Sequence, residues 1–368
     1  MGRYFSILLA FVFSCNSKES AAPEYISAEL TEFISDTLYF EKDEFTKSLP
    51  GKFAYLEQND SSFLYTWPDK RLLKYGYPRG NLISSTEFQA EGPDGIGSFL
   101  SGMLISQDGL FFISDQKAVV HTDFEGKVID RFPLPSVPEE RLAANFSSMN
   151  GNDMYCDAAT KVLVLADVPY VLKDPNLNYR DWLWKLDTRS RNFESVSFAY
   201  PEKYKEYLDD SELGVFSHSF LSDKHVHVVN FPANDSLLIL DSDRYFWIDA
   251  GSSRKLTFEK GKTEARDEWT VFLPSLLTSR YKWTMYDPYR QRIFRYVDIQ
   301  TKESGSEMFA NLSSFIVLDL EYRKVAELFF DNRKIMPFGF ATPNGFYLKL
   351  AEQENDDEEG YVKISIDP

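Results

Sequence analysis

A four-strand unit that recurs six times constrains this chain more than any other feature. Each copy reads as an apolar strand, a tight polar turn, a second strand, a third strand ending near Asp, and a fourth. Lys52–Glu57, Phe63–Trp67, Arg71–Tyr75 and Leu82–Thr86 form the first copy. Leu100–Ser106, Leu110–Ser114, Ala118–Thr122 and Lys127–Phe132 form the second. The third is Asp153–Asp157, Lys161–Ala166, Trp182–Asp187 and Asn192–Phe198. The fourth is Val215–Leu221, His225–Asn230, Ser236–Asp241 and Tyr245–Ile248. Tyr281–Tyr286, Arg292–Val297, Phe315–Leu320 and Lys324–Phe329 supply the fifth. The sixth has only three strands, Phe338–Thr342, Gly345–Leu350 and Tyr361–Ile366.

Four-stranded units repeated around a ring make a propeller. The expected fold class is therefore all-β, a six-bladed β-propeller over residues 28–368. The last blade needs a fourth strand, and Thr37–Phe40 can supply it. That closure joins both ends of the domain in one sheet and removes an open edge. Aromatic residues are 16% of the chain, a composition that suits strands. Helical spacing is confined to Pro201–Leu213, where Tyr204, Tyr207 and Leu208 predict one short helix.

The turns repeat chemically. Asp123-Phe124-Glu125-Gly126, Asp187-Thr188-Arg189-Ser190 and Asp319-Leu320-Glu321-Tyr322 each follow an apolar strand. An Asp carboxylate accepts bonds from backbone N–H groups two residues on, which makes a tight turn. Asp108-Gly109, Asp223-Lys224, Asp287-Pro288 and Asn344-Gly345 are hairpin signals. The repeats are unevenly spaced because of inserts at 133–150, 199–213 and 250–279, and such loops carry binding surfaces.

The N-terminus reads as an address. Arg3 is followed by an apolar stretch from Phe5 to Phe13, too short to span a bilayer. Val12-Phe13-Ser14-Cys15 resembles a bacterial lipobox. Residues 1–14 are then a lipoprotein signal peptide, Cys15 is the acylated residue, and 15–27 are the acylated cysteine and a polar tether. This predicts a membrane-anchored lipoprotein of the cell envelope, at the outer membrane, with the membrane a partner through the lipid. The formal charge of −17 excludes nucleic acid, whose phosphates require Lys and Arg stripes. Cys156, in Met154-Tyr155-Cys156-Asp157, reads as a small buried hydrophobe.

Three features together resemble a known group: the lipobox-like start, Glu91-Gly92-Pro93-Asp94-Gly95-Ile96-Gly97-Ser98 before the second unit, and Tyr200-Pro201-Glu202-Lys203-Tyr204 ahead of the fourth. They resemble the uncharacterised exported lipoproteins with a TolB-like six-bladed propeller, a domain of unknown function common in the Bacteroidetes. The resemblance implies fold and export and carries no agreed catalytic residues. On their own chemistry, Gly92, Gly95 and Gly97 read as a tight turn between blades.

Few constellations carry chemistry. His225-Val226-His227 places two imidazoles on one strand face, and a two-residue turn at Asp223-Lys224 brings His218 to the same face. Three imidazoles there are a candidate metal site. Trp182 and Trp184, with Tyr179, are a candidate stacking platform for a sugar, against the alternative of packing between blades. Propeller lactonases use channel carboxylates, and Asp94, Asn152 and Asp153 are the residues to watch. Glu352–Glu359 reads as a solvated acidic loop. The expected function is a non-catalytic binding or scaffold module with an unknown protein or glycan partner and no cofactor. The alternatives are a metal-dependent propeller hydrolase or lactonase, and a sugar-binding surface protein.

Overall fold

The structure, a computed structural model, describes residues 25–366 apart from 69, 138–143, 158, 170–177, 208, 242–243, 267–268 and 301–311. The expected signal peptide, Cys15, most of the expected tether and Leu208 lie outside the described residues. No helix among the described residues is long and apolar enough to cross a membrane.

Six small antiparallel sheets make a six-bladed propeller. Two strands precede the first blade, β1 (Ile26–Glu29) and β2 (Ile34–Glu41). Blade 1 is β3 (Ala54–Gln58), β4 (Ser61–Thr66), β5 (Arg71–Gly76) and β6 (Leu82–Glu87). Blade 2 is β7 (Leu100–Ser106), β8 (Gly109–Ser114), β9 (Ala118–Thr122) and β10 (Val128–Pro133). Blade 3 holds β11 (Ala144–Phe146), β12 (Tyr155–Asp157), β13 (Val162–Pro169), β14 (Leu183–Asp187) and β15 (Asn192–Val196). Blade 4 is β16 (Ser217–Leu221), β17 (Val226–Asn230), β18 (Ser236–Asp241) and β19 (Arg244–Asp249). A separate hairpin follows, β20 (Lys262–Arg266) and β21 (Trp269–Leu273). Blade 5 is β22 (Arg280–Asp287), β23 (Arg292–Ile299), β24 (Leu312–Leu318) and β25 (Lys324–Asp331). Blade 6 is β26 (Ile335–Thr342), β27 (Gly345–Leu350) and β28 (Glu358–Ile364).

The expected closure is present. β2 pairs antiparallel with β28, with Thr37 opposite Val362 and Leu38 opposite Tyr361. The chain start does more than the sequence pattern predicts. β1 runs parallel to β25, with Ile26 opposite Ala326 and Phe329 opposite Glu29, so the last two residues of the expected tether, Ile26 and Ser27, belong to blade 5. A single 3-10 turn, Leu30–Phe33, links the two latching strands, and Leu30 is buried between blades 5 and 6.

Apolar side chains alternate along the strands, so each sheet has two faces to cover. Each face packs on the next blade. Phe40, Phe53, Tyr75, Phe340 and Tyr361 fill the junction of blades 6 and 1. Phe294 and Phe346 stack, with centroids 4.4 Å apart, at the junction of blades 5 and 6. The expected helix is a 3-10 segment, Glu202–Tyr207, whose Tyr204 and Tyr207 enter the core between blades 3 and 4.

The repeated Asp turns form as their chemistry dictates. Asp123 Oδ1 accepts Glu125 and Lys127 N–H, Asp187 Oδ1 accepts Arg189 and Ser190 N–H, and Asp319 Oδ1 accepts Glu321 and Arg323 N–H. These backbone donors hold the Asp187 carboxyl below its usual range. The Gly92–Gly97 segment is the expected turn between blades. Gly97 has φ +102°, and a Cβ there would lie 2.1 Å from Ser114 Oγ.

Arg295 ties blade 5 to blade 4. It is fully buried, and its guanidinium is supplied entirely by neutral oxygens. Nε donates to Asn230 Oδ1 at 2.9 Å, Nη1 to the carbonyls of Asp235 and Ala250 at 2.8 Å, and Nη2 to that of Asn234 at 2.5 Å. The Tyr281 ring lies 3.6 Å beneath it, an added cation–π contact.

Candidate functional site

The first strands of neighbouring blades approach one another around the ring axis, and residues on them and on the segments leading into them line an axial cleft. The cleft has two lobes that share Phe338. One lobe, of about 460 Å³, is walled by blades 4, 5 and 6 and by the loop around Gly151. The other, of about 570 Å³, is walled by blades 1, 2, 3 and 6. Both fall in the size range of small-molecule sites.

Two glycines let aromatic rings form the wall between the lobes. A Cβ on Gly51 would lie 2.3 Å from Phe338 Cβ. Gly151 has φ +76°, and a Cβ there would lie 2.3 Å from Trp283 Cβ. Phe338 is 44% exposed and lies nearly parallel to Trp283, with the ring planes 19° apart.

The first lobe is charged. Arg280 opens β22 and is held by two carboxylates, Glu212 on the 199–213 insert and Asp298 near the end of β23. The Arg280–Asp298 contact is 2.9 Å. Lys282 is the extra residue of a bulge in β22 between Tyr281 and Trp283; it also lines the lobe and lies 3.8 Å from Glu212. Burial and the adjacent Arg280 charge hold its ammonium below the usual lysine range. In the second lobe, Lys52 meets Asp153 at 2.5 Å, above Trp67, Met103 and Met154.

These residues are scattered in sequence, and no local motif marks them. The available signal was the inserts. Asn150 ends one insert and Ser211 and Glu212 lie at the end of another, and all three line the charged lobe.

The residues singled out from sequence are placed as follows. His218 and His227 meet, with Nε2 of the first 3.1 Å from Nδ1 of the second. Both are buried in blade 4, facing blade 3, and burial lowers their pKa values, that of His218 to about 3. His218 Nδ1 and His227 Nε2 find no hydrogen-bond partner among the described residues. His225 does not join them. Leu221 pairs with Val226, so the connection is four residues long and His225 sits in it at φ +54°. Its Nδ1 lies 3.0 Å from Asp157 Oδ2 instead. Among the described residues no group of three or more His, Cys, Asp or Glu is placed to hold a metal ion.

The two tryptophans do not form a platform. Trp182 is 1% exposed in the core between blades 3 and 4, edge-on to Tyr179. Trp184 packs on the opposite side, against Phe146 and the core shared with blade 2. The regular β14 pairing begins at Leu183, and Trp182 lies in a turn whose N–H bonds Arg180 O, so the alternation that would align the indoles is broken.

Of the three residues near a possible channel, Asp153 alone reaches the cleft. Asp94 accepts Val128 N–H on the outer strand of blade 2, and Asn152 is fully buried, donating to the carbonyls of Met149 and Phe216. Burial, and next the Asp108 charge, push the Cys156 thiol up to about 11, which keeps it protonated. The acidic run is not solvated throughout. Glu359 lies in β28, is 3% exposed, and pairs with Lys349 at 2.6 Å.

Comparison with known proteins follows the fold. A solved member of the DUF4221 family from Bacteroides vulgatus superposes with a TM-score of 0.71 at 18% identity, over 91% of this chain and 97% of that one. A Bacteroides fragilis protein named as exported superposes with a TM-score of 0.54 at 8% identity, over 94% of this chain and 100% of that one. At these identities the likeness establishes the propeller fold. No functionally curated protein matches the chain. The family model described as a domain of unknown function (DUF4221) matches residues 27–328, and the chain belongs to that family.

Proposed function

We infer that the protein is an exported, lipid-anchored binding module of the cell envelope that takes its ligand in the axial cleft. The observation that carries this reading is the cleft itself. Its walls come from all six blades, each a hydrogen-bonded sheet, so its shape is set before a ligand arrives. Preorganisation of this kind reduces the ordering cost of binding. The charged lobe offers a cation whose ion-pair distance is long, Lys282, beside an apolar wall of Trp283, Pro337 and Phe338.

Binding rather than catalysis is supported by the state of the reactive groups. Arg280 is engaged by two carboxylates, and Cys156 is a thiol at neutral pH. The envelope address is supported by the Val12-Phe13-Ser14-Cys15 sequence and by the naming of the Bacteroides fragilis propeller as exported.

Capture from intact envelopes by the full-length chain tests the ligand reading. The parent captures a component that Lys282→Ala and Phe338→Ala lose by tenfold or more; equal capture by all three chains refutes the cleft. Fatty-acid labelling tests the address. Label enters the parent and not Cys15→Ala; equal labelling removes the anchor.

A further inference from the structure

The outer edges of blades 3 and 4 carry a second set of depressions, away from the axis. β19 is the outermost strand of blade 4, and it presents three aromatic residues in a row. Tyr245 is 74% exposed and Trp247 42% exposed. They are two residues apart, so they share one face of the strand, while Phe246 turns the other way toward Tyr322. Trp247 rests on Phe231 at 5.8 Å, which fixes the indole without covering it.

Tyr245 stands between two neighbouring hollows. One, of about 300 Å³, has an aromatic floor of Phe198, Tyr200 and Trp247, with Arg180 at its side. The other, of about 330 Å³, is polar, and Lys185, Glu194, His225 and Arg244 line it. Ser197 lines both, so the hollows adjoin.

Charged side chains gather here. The chain carries a formal −17, yet the hollows bring together Arg180, Lys185 and Arg244 against one lining carboxylate, Glu194. Arg244 pairs with Asp241 at 3.2 Å. Arg180 gives Nη1 to the Tyr179 carbonyl and, like Lys185, makes no ion pair among the described residues. Arg180 and Lys185 are thus lining cations outside any ion pair among the described residues, with Glu194 across the strand pair from Lys185 and Asp181 on the Ser197 hydroxyl, and an anionic group on a ligand would give them a partner.

The geometry points to a binding groove for an acidic saccharide, with Tyr245 and Trp247 as the stacking faces and Arg180 and Lys185 as the charge contacts. A sugar ring has an apolar C–H face that suits an exposed aromatic ring. Its rim carries hydroxyls, and in acidic sugars carboxylates or sulfates, that suit the flanking donors and acceptors. A simple anion has no use for the aromatic faces, and a neutral sugar none for the two cations outside an ion pair. This groove is distinct from the axial cleft and does not depend on it.

Titration calorimetry on the full-length protein tests the proposal, with a galacturonic acid hexamer, a heparin-derived hexasaccharide, maltohexaose and sodium sulfate as probes. At least one acidic oligomer binds, and maltohexaose binds at least tenfold more weakly. Tyr245→Ala and Trp247→Ala each weaken the acidic oligomer at least tenfold with unchanged circular dichroism. Tyr245 is exposed enough that its removal leaves the fold intact even where removal of Trp247 does not. Arg180→Gln with Lys185→Gln brings acidic and neutral oligomers within threefold of each other, and Lys282→Ala in the axial cleft changes nothing. The proposal is overturned if no acidic oligomer binds, if maltohexaose binds as well, if sodium sulfate alone accounts for the signal, if Tyr245→Ala binds like the parent, or if Lys282→Ala abolishes binding.

Discussion

Arg295 and the His218–His227 pair lie on opposite sides of blade 4, and both are buried. Arg295 reaches from blade 5 to blade 4 with each of its nitrogens directed at an oxygen of a neighbouring loop or strand. The histidines face blade 3 and meet each other, and one nitrogen of each has no partner among the described residues. The first arrangement keeps a charge inside the ring because its desolvation is offset by four hydrogen bonds and an aromatic face. The second keeps two groups inside only while they stay neutral. Blade 4 is therefore held firmly on one side and conditionally on the other.

The largest effect belongs to the firm side. Arg295→Ala takes a donor from the carbonyls of Asn234, Asp235 and Ala250 and from the Asn230 side chain and leaves a cavity, and lowers unfolding free energy by about 3–5 kcal/mol in chemical denaturation. A loss under 1 kcal/mol would break the contrast.

Acid probes the conditional side. The folded imidazoles are held neutral, whereas in the unfolded chain they take up protons near their ordinary pKa of about 6.5. Below that pH the unfolded state binds more protons, so stability falls as pH falls, and the loss continues until folded His218 itself protonates at about 3. Each histidine contributes a slope of about 1.4 kcal/mol per pH unit in that window. Denaturation midpoints taken from pH 7 to pH 5 should drop, and the double variant His218→Phe, His227→Leu should flatten the drop.

Two smaller changes sharpen the picture. Asn230→Ala removes one Arg295 acceptor and a bond to the Tyr281 carbonyl, for about 1–2 kcal/mol by thermal unfolding. Asp319→Ala removes a turn acceptor in blade 5 and costs about 1 kcal/mol by the same measurement.

The ring was legible because its information is local. Strand alternation and Asp turns are written in neighbouring residues, and β4, β5, β8 and β9 fall within a residue or two of their expected bounds. β1 was not legible, since four residues, Ile26–Glu29, acquire their strand only by meeting β25 some three hundred residues later. The charged lobe was hidden for the same reason: Glu212 and Arg280 are 68 residues apart and meet through the ring. The face of a side chain was legible only where the turn length was. One four-residue connection removed His225 from its expected group, and one turn at Trp182 separated the two indoles.

The parallel latch of β1 on β25 also has a mechanical meaning. Tension applied N-terminal to Ile26, as the proposed anchor would apply it, reaches the body at β1 first. A pull along that strand loads all of its inter-strand bonds together, in shear, rather than opening them singly as a zipper would. Only after β1 slips would tension reach β2 and the seam of the wheel, so Ile26–Glu29 act as a strain relief between the proposed anchor and the ring.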